Sequence, residues 1–355
     1  MKDMLVTPRR RVMSALGNNV PDKIPFTVYE CMIPQCTTER ELRNRGLCIV
    51  KRIPSYTILR PNVDTKTYGY KDKNGRKLVR TVYTTPYGEL DTLSQPGINT
   101  TWTLEHMFKT SEDYKRLLFY IKDSVVKPNY EYVEAEVNRL GEDFAIRDQI
   151  VLEPLQALIS EYMGSETFCY EWMDNRDEIM ILYKALVELA RKVYAVVADS
   201  PLEFANYGGN VVPQIIGVEN FRKYYVPHYN EAAELLHQKG KLIGCHFDAD
   251  NTSIMSDIAG TALDYIEAYD PGISPPVKEA RKAWPGKVLW LNWPSAWHLN
   301  SYEEIYSGTV RLIEEAAPGN GLIIGITEDV PAERWQKNFI TIMDAIDQTL
   351  PALCT

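Results

Sequence analysis

The sequence predicts an α/β protein, a (β/α)8 TIM barrel with an N-terminal β-rich insertion, and three observations carry that reading. In the second half, apolar runs alternate with helix-like stretches. KLIGCHFD (241–248), LDYIEAYD (263–270), KVLWLNW (287–293) and GLIIGITED (321–329) precede helical patterns over 251–260, 275–284, 301–317 and 331–349. Such a rhythm implies parallel strands joined by right-handed crossovers. The runs are near-continuously apolar, as strands buried on both faces are. About eight strand–helix units fit along the chain, as a barrel of this kind requires. No GxGxxG follows the first strand, so a doubly wound open sheet is the fallback.

The elements follow in chain order. Thr7 is placed to cap a helix over 7–16, with Pro8 at its first position. Pro21-Asp22-Lys23 is a turn, and IPFTVYE (24–30) is the first strand, ending on Glu30. Between 54 and 104 Tyr and Thr dominate and alternate with other residues. Asp72-Lys73-Asn74-Gly75 there reads as a hairpin tip, and Pro86-Tyr87-Gly88 as another turn. This stretch is a β-rich insertion, expected near the barrel mouth of a single domain spanning 1–355. Amphipathic helices are expected over 111–122, 129–140, 154–163, 175–199 and 217–239. The apolar runs DFAIRDQIVL (143–152) and PLEFANY (201–207) lie between them.

Composition narrows the function. Lys and Arg total 39 against 48 Asp and Glu, a net charge of −9, with 45% hydrophobic and 25% charged residues. That is the balance of a soluble globular protein. No basic stripe exists to neutralise phosphates, so no nucleic-acid partner is expected. No apolar run approaches a membrane span, and MKDMLVTPRRR lacks the apolar stretch of a signal peptide. Cysteines 31, 36, 48, 169, 245 and 354 form no CxxC pair and read as reduced thiols of a cytoplasmic protein. Histidines 106, 228, 237, 246 and 298 form no HExxH, so a metal would draw ligands from separate segments.

The late strands all end on polar residues: His246 and Asp248, then Glu267, then Asn292, then Thr327, Glu328 and Asp329. In a barrel these ends share the C-terminal rim, where active sites are built. His246 and Asp248, two apart on a strand, point to one side. Carboxylates gathered at a rim repel one another unless a cation or a proton lies between them. His246 with Asp248, Glu267 and Glu328 is therefore a candidate metal set for Zn²⁺, Mn²⁺ or Fe²⁺. The competing reading is a hydrogen-bonded His–Asp pair, with the glutamates serving substrate hydroxyls or amines. In PLEFANYGGN, Asn206 and Tyr207 could donate hydrogen bonds to a ligand, or Tyr207 could pack beneath a turn. Trp293 and Trp297 follow a strand end, where they could wall an apolar pocket or pack a loop. Cys245 alternates to the opposite face from His246 and reads as a small core residue.

Three stretches carry a family resemblance: TPRRRVMSALGNNVPDKIPF, FANYGGNVVPQIIGVENFRKYYVPHYNEAAELLHQKGKLIGCHFDADN and KVLWLNWPSAW. Together they make the chain similar to the uroporphyrinogen decarboxylase superfamily of decarboxylases and corrinoid-linked methyltransferases. The decarboxylases' arginine-rich segment after the first strand is absent; here it reads ECMIPQCTTERELRNRG. The closer resemblance is to the corrinoid-linked methyltransferases of O-demethylase type. Zinc members of that branch pair H-x-C with a later acid and a distant Cys. This chain offers His246, Asp248, Glu267 and Glu328, with both thiolates replaced by carboxylates.

The resemblance implies methyl transfer from a small methylated substrate, a phenyl methyl ether or similar, to a separate corrinoid protein. Zinc or another divalent metal would assist. His246, Glu328 and Asp329 are the catalytic candidates. Glu30, Asn206, Tyr207, Asn292 and Trp293 are the substrate-binding candidates. A homodimer is admitted. The alternatives are a metal-independent decarboxylase acting on a small carboxylate and a non-enzymatic binding module.

Overall fold

The structure is a computed structural model describing residues 6–97 and 100–353, so Cys354 lies outside the described residues. Its centre is a closed barrel of eight parallel strands. We number them β1 (Phe26–Tyr29), β2 (Cys48–Arg52), β3 (Phe144–Gln149), β4 (Phe204–Tyr207), β5 (Leu242–His246), β6 (Tyr265–Tyr269), β7 (Val288–Asn292) and β8 (Leu322–Ile326). Strand β8 pairs back onto β1, Phe26 opposite Ile324, so no edge is left open. The expected (β/α)8 fold is the observed one.

Alternation along each strand sorts side chains into interior and exterior. Cys48, Val50, Ala145, Phe204, Tyr265, Val288, Trp290 and Ile323 form one buried cluster with Val12, Ala15 and Leu16 of the N-terminal helix. That helix, Pro8–Leu16, begins where its sequence signals place it: the Thr7 side chain accepts from the Arg10 N–H. Two large rings fill the barrel only because a neighbouring strand carries glycine. A Cβ on Gly244 would lie 2.1 Å from the Tyr265 ring, and one on Gly325 would lie 2.9 Å from Trp290 Nε1. The polar tips are satisfied internally. Tyr265 donates to the Ala205 carbonyl at 2.6 Å, and Trp290 to Thr27 Oγ1 at 3.0 Å.

The chain divides into two compact units. One comprises Met1–Ile53, Tyr130–Gln149 and Pro201–Thr355 and contains all eight barrel strands; the other comprises Pro54–Asn129 and Ile150–Ser200. The second unit therefore takes in more chain than the 54–104 stretch read as an insertion. It holds a four-stranded antiparallel meander over Asp64–Lys71, Lys77–Thr85, Gly88–Pro96 and Thr101–Glu105. The hairpin tip is as read: Gly75 has φ +78, and Asp72 Oδ1 accepts from the Asn74 and Arg76 N–H groups. It also holds a two-stranded antiparallel sheet of Tyr56–Leu59 and Val125–Pro128, the helical segments Pro154–Ala157 and Leu158–Met163, and the helices Asp113–Lys122, Ser165–Asp174 and Arg176–Asp199.

Differences from expectation are local. The helix expected over 217–239 is two, Val218–Tyr224 and Val226–His237. Pro227 lacks the N–H that a continuous helix would need and disfavours helical backbone before it. Strand β2 lies where no strand was expected, because its short apolar start runs directly into Lys51 and Arg52. Among the described residues no helix is long and apolar enough to cross a membrane.

Candidate functional site

The upper layer of the barrel interior is polar, and Glu267 is its hub. It sits on β6 with no solvent exposure, in register with His246 on β5. Its Oε1 accepts from the Tyr29 hydroxyl on β1 and lies 2.6 Å from Arg147 Nη1 on β3. Its Oε2 lies 2.7 Å from His246 Nδ1 and 3.1 Å from Asn206 Nδ2 on β4. Four neighbours thus share one carboxylate. Burial alone would raise its pKa, but Arg147 and His246 hold it well below the ordinary carboxylate range.

His246 is consequently fixed from one side. Burial would lower its pKa, but the charges of Glu267 and Asp248 and the hydrogen bond to Glu267 outweigh it and raise the ring from 6.5 to about 10. The other nitrogen, Nε2, faces two more carboxylates, Asp248 Oδ2 at 3.5 Å and Glu328 Oε1 at 3.9 Å. One donor atom each from His246, Asp248 and Glu328 lies within 4.8 Å of the others. Burial and the charges of Asp248, Asp329 and Glu267 push the Glu328 carboxyl up, against the pull of His246. Behind the imidazole runs the loop after β4. Gly209 there has φ +142, and a Cβ on it would come within 3.0 Å of His246 Cβ. Only glycine leaves the ring where it is.

A cavity of about 380 Å³ opens beside this cluster, lined by Asp248, Ala268, Asp270, Asn292, Trp297 and Glu328 among others. Ala268 has a left-handed φ of 58°, within an irregularity of the β6–β7 ladder. A strained residue of this kind, costing about 1–3 kcal/mol, is most often found at functional sites. Asn292 is held firmly. Its Oδ1 accepts from Thr327 N and Oγ1, both at 3.0 Å, and its Nδ2 donates to Ser295 Oγ at 3.0 Å and Asp270 Oδ2 at 3.3 Å. A larger cleft of about 640 Å³, lined by Lys278, Arg281, Lys282 and Glu314, holds none of these strand-end groups.

The structure brings together His246, Asp248, Glu328 and Asn292, with Asn206 and Glu267 beneath them. It places Glu267 on the opposite side of the imidazole from Asp248 and Glu328. Asp329 is exposed, next in sequence to Glu328. Glu30 is exposed on the turn after β1 and pairs with Lys51 at 3.2 Å. Tyr207 alternates away from Asn206 and packs edge-to-face on Tyr229, centroids 5.3 Å apart. Trp293 is fully buried, donates to Thr309 Oγ1 at 3.0 Å and stands edge-on to Trp297. The aromatic wall of the cavity is Trp297. Cys245 is buried and faces Tyr229, as its alternation implied. Two site residues escaped sequence reading: Tyr29 and Arg147. The available signal was a charged residue at inward parity within the apolar run DFAIRDQIVL.

No family model and no curated protein matches the chain. Among solved structures, a methyltransferase from Methanosarcina mazei is similar over 96% of this chain and 98% of its own, with TM-score 0.59 and 12% identity. A B12-independent methionine synthase from Shewanella sp. W3-18-1 is 9% identical over 89% of this chain and 85% of its own, with TM-score 0.44. The GH18 chitinase ChiB of Flavobacterium johnsoniae is 12% identical over 93% and 95%, with TM-score 0.38. The first of these shares the fold.

Proposed function

We propose that the chain is a methyltransferase. It would move a methyl group from a small methylated donor, a phenyl methyl ether or similar, to the cobalt of a separate corrinoid protein, assisted by a divalent metal. The observation that carries this reading is the His246–Asp248–Glu328 cluster beside a cavity. The cluster fits a cation on the chemistry of its donors. Donor atoms around a metal bound at about 2.0–2.2 Å stand roughly 3–3.5 Å apart. The Nε2 separations of 3.5 and 3.9 Å approach that spacing and are long for direct hydrogen bonds. Glu267 Oε2 accepts from the Nδ1–H, which would leave Nε2 as the ligand nitrogen. In this arrangement His246, Asp248 and Glu328 are the ligands, and Glu267 orients the ring.

When bound, zinc or a similar divalent cation supplies Lewis acidity at the donor heteroatom. The chain's own groups do the rest. Trp297 offers the donor an aromatic wall in the cavity, and Asn292, whose hydrogen-bonding groups are all taken by Thr327, Ser295 and Asp270, holds the shape of the lining beside it. Asp329 at the rim can exchange a proton with solvent as the heteroatom is released. The −9 charge and the acidic rim suit a small donor better than a polyanionic porphyrinogen.

A second reading rests on one observation. With its pKa raised to about 10, His246 is a proton-loaded imidazolium at neutral pH, as a metal-independent decarboxylase needs to quench a carbanion. Elemental analysis with a methyl-transfer assay separates the two, using free cob(I)alamin, methoxylated aromatics and methylamines. The expected result is about one divalent metal per chain and loss of both metal and transfer in His246→Ala, as removal of a ligand implies. A metal-free protein whose His246→Ala variant keeps full activity would sink the proposal, and CO₂ release without corrinoid would identify the lyase.

A further inference from the structure

Two arginines lie side by side in the barrel mouth. Arg52 ends β2 and Arg147 lies near the end of β3, and the parallel ladder pairs them directly. Cys48 and Val50 face the interior, so Arg52, two residues further, does too. Both guanidiniums stack on one ring: Arg52 at 4.0 Å and Arg147 at 5.5 Å from the centroid of Tyr29. Like charges directly opposite on neighbouring strands repel, so the pair needs anions. Arg147 has one, the Glu267 carboxylate, which it shares with His246. Arg52 has none. It is exposed, its other contact is Cys31 Sγ at 3.9 Å, and among the described residues no carboxylate pairs with it. The adjacent Lys51, by contrast, meets both Glu30 and Glu136. Arg147 Nε is also buried without a hydrogen-bond partner.

We infer that Arg52, with Arg147 behind it, is the anchor for a carboxylate carried by the methyl donor, which makes the donor class a small methylated acid such as a methoxybenzoate. The inference rests on the methyltransferase reading for the donor's chemistry, though not for the anion itself. A guanidinium offers two parallel N–H donors that match a carboxylate. Stacking on Tyr29 restricts Arg52 before the ligand arrives, so less freedom is lost on binding. Tyr29 donates to Glu267, and Glu267 meets His246, so the anchor and the metal cluster belong to one connected layer.

Calorimetric titration of the metal-loaded protein with 4-methoxybenzoate and with neutral methoxybenzene tests the anchor. The wild type should bind the acid at least tenfold more tightly than the ether. Arg52→Gln should lose that tenfold preference while binding methoxybenzene as before, and Arg52→Lys should restore part of it. Metal content measured on the same samples should not change. Equal binding of the two probes by the wild type, no binding of 4-methoxybenzoate, or an unchanged preference in Arg52→Gln would each overturn the inference. Arg52-dependent carboxylate binding in a protein that holds no metal would keep the anchor and remove the methyltransferase reading.

Discussion

At the scale of the residue, Glu267 decides most of the chemistry, because one unexposed carboxylate serves Arg147, Tyr29, Asn206 and His246 at once. Removing the charge leaves Arg147 buried without its counter-ion. Breaking a buried pair in this way costs about 3–5 kcal/mol. Glu267→Gln should therefore unfold at clearly lower urea than the wild type, and its His246 ring should titrate well below about 10 by NMR. A variant with unchanged stability and ring titration would contradict the hub. Much of this layer was legible in the sequence because His246, Asp248, Glu267, Asn292 and Glu328 end or follow apolar runs. Arg52 and Arg147 were not, because their meaning lies in the β2–β3 register, which no single strand encodes. Tyr207 and Trp293 show the limit of position alone. Each directly follows an inward residue, and the two-residue period turns it outward.

At the scale of the element, the barrel was readable and its connections less so. The late strands were marked by continuous apolar runs, whereas β2 is short and ends on Lys51 and Arg52, which mimic a surface loop. The loop after β4 was recognisable from Gly208-Gly209, but not what it supports. Gly209 holds a backbone conformation that side chains avoid and lies against His246. Gly209→Ala should cost about 1–3 kcal/mol in strain and displace the imidazole. The loss should register in metal affinity beyond what the melting temperature explains. Full metal retention in that variant would show the loop to be passive. A second check concerns the helix Tyr302–Glu315, whose Ser301 and Glu304 form a reciprocal capping box. Ser301→Ala should destabilise by about 1 kcal/mol while leaving metal content intact, which separates scaffold from site.

At the scale of the whole molecule, the rim couples folding to proton and cation binding. His246 has a folded pKa of about 10 against 6.5 unperturbed, so its contribution to stability is complete below about pH 6.5 and is lost as pH climbs toward 10. In metal-free protein the melting temperature should therefore fall across that window, and His246→Gln should flatten the fall. A divalent cation at Nε2 must displace the same proton, so metal binding should release protons and tighten as pH rises. A ligand that binds only the folded state adds about 2.7 kcal/mol at a hundred times its Kd. The rise in melting temperature on adding Zn²⁺ or Mn²⁺ should accordingly be larger near pH 8.5 than near pH 6, opposite in slope to the metal-free protein. Melts with and without chelator across this range, for wild type and Glu328→Gln, read both trends together. A metal-induced shift that is independent of pH, or that survives unchanged in Glu328→Gln, would mean that the cation binds elsewhere. The acidic cluster would then hold only the proton on His246, and that is the arrangement the lyase reading requires.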